Sequence, residues 1–183
     1  MPEHKRAKYI GRVFQDPMKG TAFDMTIEEN LSIAYNKIRK RGLQAGISKA
    51  DRELFQEKLS LLGMGLEDRM KEKVRLLSGG QRQALTLFMA VIAKPKLLLL
   101  DEHTAALDPS AARKVLEQTD YFAKDAKLCT MMITHNMKAA LEHGNRTILM
   151  QGGQIKMDIR GREREEMTVE KLIEKFEIDN DRM

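Results

Sequence analysis

Leu77-Ser78-Gly79-Gly80-Gln81, followed downstream by Leu97-Leu98-Leu99-Leu100-Asp101-Glu102, decides how this chain folds. Ser78 and Gln81 have the Ser-x-x-Gln spacing of a capping box, which closes the N-terminus of a helix. A cap alone does not account for two glycines, each of which weakens a helix by about 1 kcal/mol against Ala. What they supply is bare N–H groups at the positive end of a helix dipole, a seat for phosphate. The helix is predicted from Gly79 to Ala93, apolar after Arg82 and therefore buried. Lys94-Pro95-Lys96 turns the chain back. Leu97 to Leu100 then reads as a short strand of the kind buried in parallel sheets, and it ends at Asp101-Glu102.

Carboxylates at the carboxyl end of such a strand lie where α/β sheets place their ligands. Successive strand side chains diverge, so the two can take different tasks. Asp101 is placed to hold a divalent cation, directly or through water, and Glu102 to polarise an attacking water. Two adjacent anions beside a nucleotide's phosphates repel one another unless a cation offsets them, so the pair implies Mg²⁺. A second apolar strand, Leu128 to Ile133, ends at Thr134-His135, which is expected to bring His135 to the edge where Glu102 sits. There its imidazole can donate to a phosphate. Gln15, after the strand read over Lys8 to Phe14, offers an amide oxygen to the metal. His4, His103 and His143 stand in no comparable context, and no His-x-x-x-His spacing occurs. The sequence contains no Gly-x-x-x-x-Gly-Lys-Ser/Thr phosphate loop.

The rest of the chain frames these residues. Thr26-Ile27-Glu28-Glu29 is a capping box opening a helix with Ile27, Leu31, Ala34, Tyr35 and Ile38 on one face, broken over Arg41 to Gly46. Ser48 caps a second helix, which Gly63 ends. Asp108-Pro109 pairs an N-cap with proline at the first helical position and starts a helix running to about Ala123. Met137 to Glu142 reads as a short helix. Arg146 to Met150 and Gln154 to Ile159 form a hairpin around Gly152-Gly153, and a last helix spans Val169 to Phe176.

With 183 residues, 42% hydrophobic and 32% charged, the chain can bury a core, and its composition argues against wholesale disorder. The +5 net charge is mild. Its basic clusters, His4 to Arg12 and Lys37 to Arg41, lack interleaved stacking aromatics, so they read as solvated faces and no nucleic-acid partner is expected. No apolar run is long enough to span a bilayer. The single Cys129 fits a reducing compartment, and its apolar setting predicts a buried, inert thiol.

Together these motifs resemble the ATP-binding subunits of ABC transporters, over about Ile10 to Ile159. Leu77–Gln81 is similar to the family signature, Leu97–Glu102 to Walker B with its catalytic Glu, and Ala106-Leu107-Asp108 to the D-loop. His135 matches the switch histidine, and Val13-Phe14-Gln15-Asp16-Pro17 the Q-loop. The fold implied is α/β, a P-loop NTPase of the ABC ATPase type truncated at the N-terminus, with an α-helical subdomain inserted before the signature. Residues 1–15 would end the nucleotide-binding core, 16–94 form the helical subdomain, 95–160 complete the core and 161–183 add a C-terminal helix.

The resemblance implies ATP and Mg²⁺ as cofactors. Glu102 and His135 would be catalytic, with Asp101 and Gln15 at the metal. Ser78, Gly79, Gly80, Gln81, Gln15 and Asp108 would lie at the nucleotide. Two subunits sandwich two ATP molecules in the family, each site joining one subunit's phosphate loop to the other's signature. Thr26 to Leu31 resembles the importer-type subunits, which implies a membrane permease docked on the Q-loop and helical subdomain. A solute-binding protein in the same system, and a place on the inner face of the cell membrane, follow from the same resemblance. The stretches Thr104–Pro109 and Asn145–Ile148 resemble subunits assigned to tryptophan/tyrosine-type import. His103 stands where the family usually has proline, a change expected to be tolerated. Without a phosphate loop the isolated chain is expected to bind Mg-ATP weakly, hydrolyse it negligibly and expose apolar surface. Two other readings stay open, a non-catalytic partner that donates only its signature and a soluble ABC ATPase of translation or DNA repair.

Overall fold

A computed structural model of the chain describes residues 1–37 and 46–180. The chain divides into two compact units, Met1–Ile133 and Thr134–Met183. The first begins with a short helix α1 (Glu3–Arg6), strand β1 (Ile10–Val13) and a 3-10 turn at Pro17–Gly20. Helices α2 (Ile27–Tyr35), α3 (Lys49–Ser60) and α4 (Gly79–Ile92) follow. Strand β2 (Leu97–Asp101), helix α5 (Pro109–Asp125) and strand β3 (Cys129–Ile133) complete it.

The helix starts lie where the capping residues put them. Thr26 with Glu29, Ser48 with Asp51 and Ser78 with Gln81 each form a reciprocal capping box. Asp108 accepts from the amides of Ser110 and Ala111 at the head of α5. Each such cap is worth about 1 kcal/mol. Ile38 and the stretch 41–45 lie outside the described residues.

The sheet order is β1-β2-β3, all parallel, with Leu98 opposite both Gly11 and Thr130 and Leu100 opposite both Val13 and Met132. Val13, Leu98 and Leu100 join Leu85 and Phe88 of α4 and Val115 and Phe122 of α5 in one buried core. The alternate residues tell a different story. Leu97 and Leu99 are only half-buried, and Met131 and Ile133 are each 56% exposed. The expectation that these apolar strands are buried is therefore corrected: helices pack on one face, and period-2 alternation turns every other side chain away from them. Cys129 is exposed for the same reason, on the outward face of the edge strand, and is not the buried thiol its apolar neighbours suggested.

The second unit holds α6 (Met137–Glu142), β4 (Arg146–Gln151), β5 (Gln154–Arg160), α7 (Arg162–Glu165) and α8 (Val169–Asn180). β4 and β5 pair antiparallel around Gly152 and Gly153, whose φ of 55° and 74° are those of a tight hairpin turn. Met157, Ile159 and Leu172 form this unit's small core.

Candidate functional site

The carboxyl ends of β1 and β2 bring together side chains separated by some ninety positions in sequence. Arg12 Nη2 lies 3.2 Å from Asp101 Oδ2, and Gln15 Nε2 donates to Glu102 Oε2 at 3.3 Å. Asp101 and Glu102 thus address different partners, as divergence along a strand requires. Glu102 has left the strand. Its φ of 43° is in the left-handed region, its N–H donates to the Ile133 carbonyl and its own carbonyl accepts from Ala105. A non-glycine residue pays about 1–2 kcal/mol for that conformation, and such strain concentrates at functional sites.

The α4 N-terminus approaches the same region. Gln15, Asp16, Gly79, Arg82, His103 and Leu107 line one cavity, so the segment after β1, the start of α4 and the turn after β2 converge. Ser78 and Gly79 are exposed, whereas Gly80 is buried against α5. A methyl group on Gly80 would lie 2.8 Å from the Ala111 Cβ, so glycine is needed there for helix packing. On Gly79 it would meet only Leu107, at an ordinary 3.5 Å. Among the described residues nothing demands a glycine at that exposed position.

Gln81 is committed to the scaffold. Its amide oxygen accepts from Ser78 N and from Arg69 Nη1, each at 3.1 Å, and its Nε2 donates to the Met64 carbonyl. Arg69 in turn holds Glu72 at 2.6 Å, and that hydrogen bond keeps the Glu72 carboxyl below its usual range. Asp108 is spent as the α5 cap. His135 lies in the second unit, exposed, one residue before the Asn136 cap of α6.

Among the described residues no group of three or more His, Cys, Asp or Glu could hold a metal. Asp101 and Gln15 still suit magnesium, which takes few protein oxygens and completes its shell with water and phosphate. The Gln15 contact to Glu102 uses the amide nitrogen, which leaves the amide oxygen, with its lone pairs, as the atom that could ligate a metal. Arg12 and His103 are the site neighbours that the sequence did not single out. Both depend on contacts with distant positions, and the only local signal was His103 standing in place of proline.

The sequence profile of the ABC transporter family matches residues 2–105, more than half of the chain. The chain belongs to the ABC transporter family. A tyrosine transport ATP-binding protein of Clostridioides difficile is 44% identical over 177 residues, 97% of this chain and 70% of that one. A phosphate import ATP-binding protein of Pseudomonas putida is 36% identical, over 76% of this chain and 47% of its own length. A methionine import ATP-binding protein of Clostridium tetani is 31% identical, over 82% and 44%. The chain thus spans less than half of the latter two. In structure, an ABC transporter solved in an inward-facing conformation matches 92% of this chain and 64% of its own, with TM-score 0.71 and 24% identity. That likeness is one of fold, and it agrees with the P-loop ABC ATPase architecture expected from the motifs.

Proposed function

We propose that the chain supplies the signature, Walker B, D-loop and switch segments of an ABC importer's ATP-binding subunit. ATP-driven closure of a dimer of such subunits drives uptake of a small, amino-acid-like solute through a membrane permease. The observation that carries this is Gly79: exposed, at a helix N-terminus, and a glycine that no contact among the described residues requires. A partner's phosphate approaching that N-terminus explains it. The amino-acid-like solute rests on the tyrosine transport relative.

In this reading Ser78 and Gly79 present donors to the phosphates of a nucleotide held by the facing subunit. Asp101 and Gln15 would hold Mg²⁺, which when bound neutralises phosphate charge. Glu102 polarises and orients the attacking water, and its carboxylate is held by Gln15. His135 adds a donor to the terminal phosphate, Gln81 braces the signature loop and Asp108 holds the D-loop to α5. The Q-loop and the helices α2 and α3 receive the permease, a solute-binding protein delivers cargo, and the assembly works on the inner face of the membrane. No described helix is long and apolar enough to cross it.

The exposed Gly79 also fits a second reading, that of a non-catalytic partner. On it the chain completes another subunit's ATP site and turns over none itself. ATP hydrolysis should be measured for the chain alone, then with permease and a subunit carrying a phosphate loop. Turnover is expected only in the assembly, and Ser78→Arg should abolish it. Equal turnover with Ser78→Arg would remove the signature from the mechanism and sink both readings. One ATP occluded per dimer of this chain with the subunit carrying a phosphate loop is expected on the donor reading, and none occluded removes it.

A further inference from the structure

His103 follows the proposed catalytic Glu102 and is 2% exposed, although an imidazole is polar. Its Nε2 lies 3.2 Å from the hydroxyl of Thr119, itself buried on α5. That hydroxyl has one hydrogen, and it is used: Thr119 Oγ1 donates to the Val115 carbonyl at 2.8 Å. The His103–Thr119 contact therefore has the imidazole as donor, which fixes the proton on Nε2. A buried hydrogen bond of defined direction thus ties the turn after β2 to the middle of α5, sixteen positions along the chain.

The residue next to this tie is Glu102, in the left-handed region at φ 43°. Such a conformation persists only where its surroundings over-determine it. At Glu102 the N–H donates to Ile133, the carbonyl accepts from Ala105 and the carboxylate accepts from Gln15. His103 adds a tie to α5. From this geometry we infer that His103 is a positioning residue for Glu102. Through Thr119 it clamps the turn so that the Glu102 carboxylate stays beside Gln15 at the carboxyl end of the sheet. The imidazole does not touch the nucleotide or exchange a proton with it; it acts through the backbone of its neighbour. Proline would restrict the same backbone through its fixed φ but could make no link to α5. The inference rests on the reading of Glu102 as the group that orients water.

The test pairs His103→Leu, which fills the site but cannot donate, with His103→Gln, whose Nε2 can replace the imidazole donor. Thr119→Val removes the acceptor from the other side. In the assembled transporter, His103→Leu and Thr119→Val should each lower kcat for ATP about tenfold with KM within about twofold, since a lost buried hydrogen bond acts on the step Glu102 serves. His103→Gln should recover most of that loss, and the double variant should be no worse than either single one. On the chain itself, amide exchange from Glu102 to Ala105 should quicken about tenfold in His103→Leu and return towards wild type in His103→Gln. Nitrogen NMR should show the Nε2–H tautomer.

Wild-type kcat together with wild-type exchange in His103→Leu overturns the inference. So does the Nδ1–H tautomer. A loss shared equally by kcat/KM, KM and global stability, with no recovery in Gln, also overturns it, since that describes a core residue and no more. If the wild-type assembly shows no Glu102-dependent turnover, the ATPase reading fails instead. The clamp is then decided by exchange and tautomer.

Discussion

Gly79 and Gly80 are neighbours with different physical reasons for being glycine. Gly80→Val should destabilise the chain by about 1–3 kcal/mol, because its Cβ alone would stand 2.8 Å from the Ala111 Cβ. Urea unfolding measures this directly. Gly79→Val has room, so its midpoint should stay near wild type while turnover of the assembly falls at least about tenfold, through loss of close approach to phosphate. A stability loss in both variants, with no separate activity loss for Gly79, would contradict that division. The sequence showed that the glycines exceed what a cap needs, but not which one serves packing. Ala111 is too far along the chain for local spacing to reveal the contact. For the same reason Asp101 could be picked from the sequence as a candidate, while its partner Arg12 could not. That pair is half exposed at both ends, 53% and 41%, so Arg12→Ala should move the unfolding midpoint by no more than about 1 kcal/mol equivalent.

Helix starts and the glycine hairpin were readable because their physics is local: a capping side chain acts within three residues, and Gly152-Gly153 makes its own turn. Strand burial was not readable, because a run of apolar residues does not say how many faces are covered. Pairing within the β4–β5 hairpin gives a pH test. Arg146 Nε donates to Asp158 Oδ1 at 2.7 Å, and this hydrogen bond holds the Asp158 carboxyl below its ordinary value. A lowered value means the contribution is present above the ordinary aspartate value of about 3.9 and is lost as pH falls through the folded-state value. Amide protection across β4 and β5 should therefore drop under acid, and Asp158→Asn should lack that step. An acid step of equal size in Asp158→Asn would assign it to another group.

At the scale of the whole molecule, β3 shows one face that helices do not cover, with Cys129, Met131 and Ile133 outward. Cys129 should react with a thiol reagent in the native chain about as fast as in the unfolded one. Ile133→Lys should raise the concentration at which the isolated chain aggregates, as charge on an edge strand does. Slow labelling of Cys129 would show that face covered in solution. The motifs made the ATPase core legible from residues alone, because they lie at element ends in a fixed order. The convergence of Gln15, Gly79 and His103 on one cavity needed the fold. The decisive measurement is steady-state ATP hydrolysis by the assembled transporter, wild type against Glu102→Gln. If Glu102 orients the attacking water, the variant should keep ATP binding and lose at least about a hundredfold in kcat. Turnover unchanged by that substitution would contradict the assignment of Glu102, and with it the proposed site.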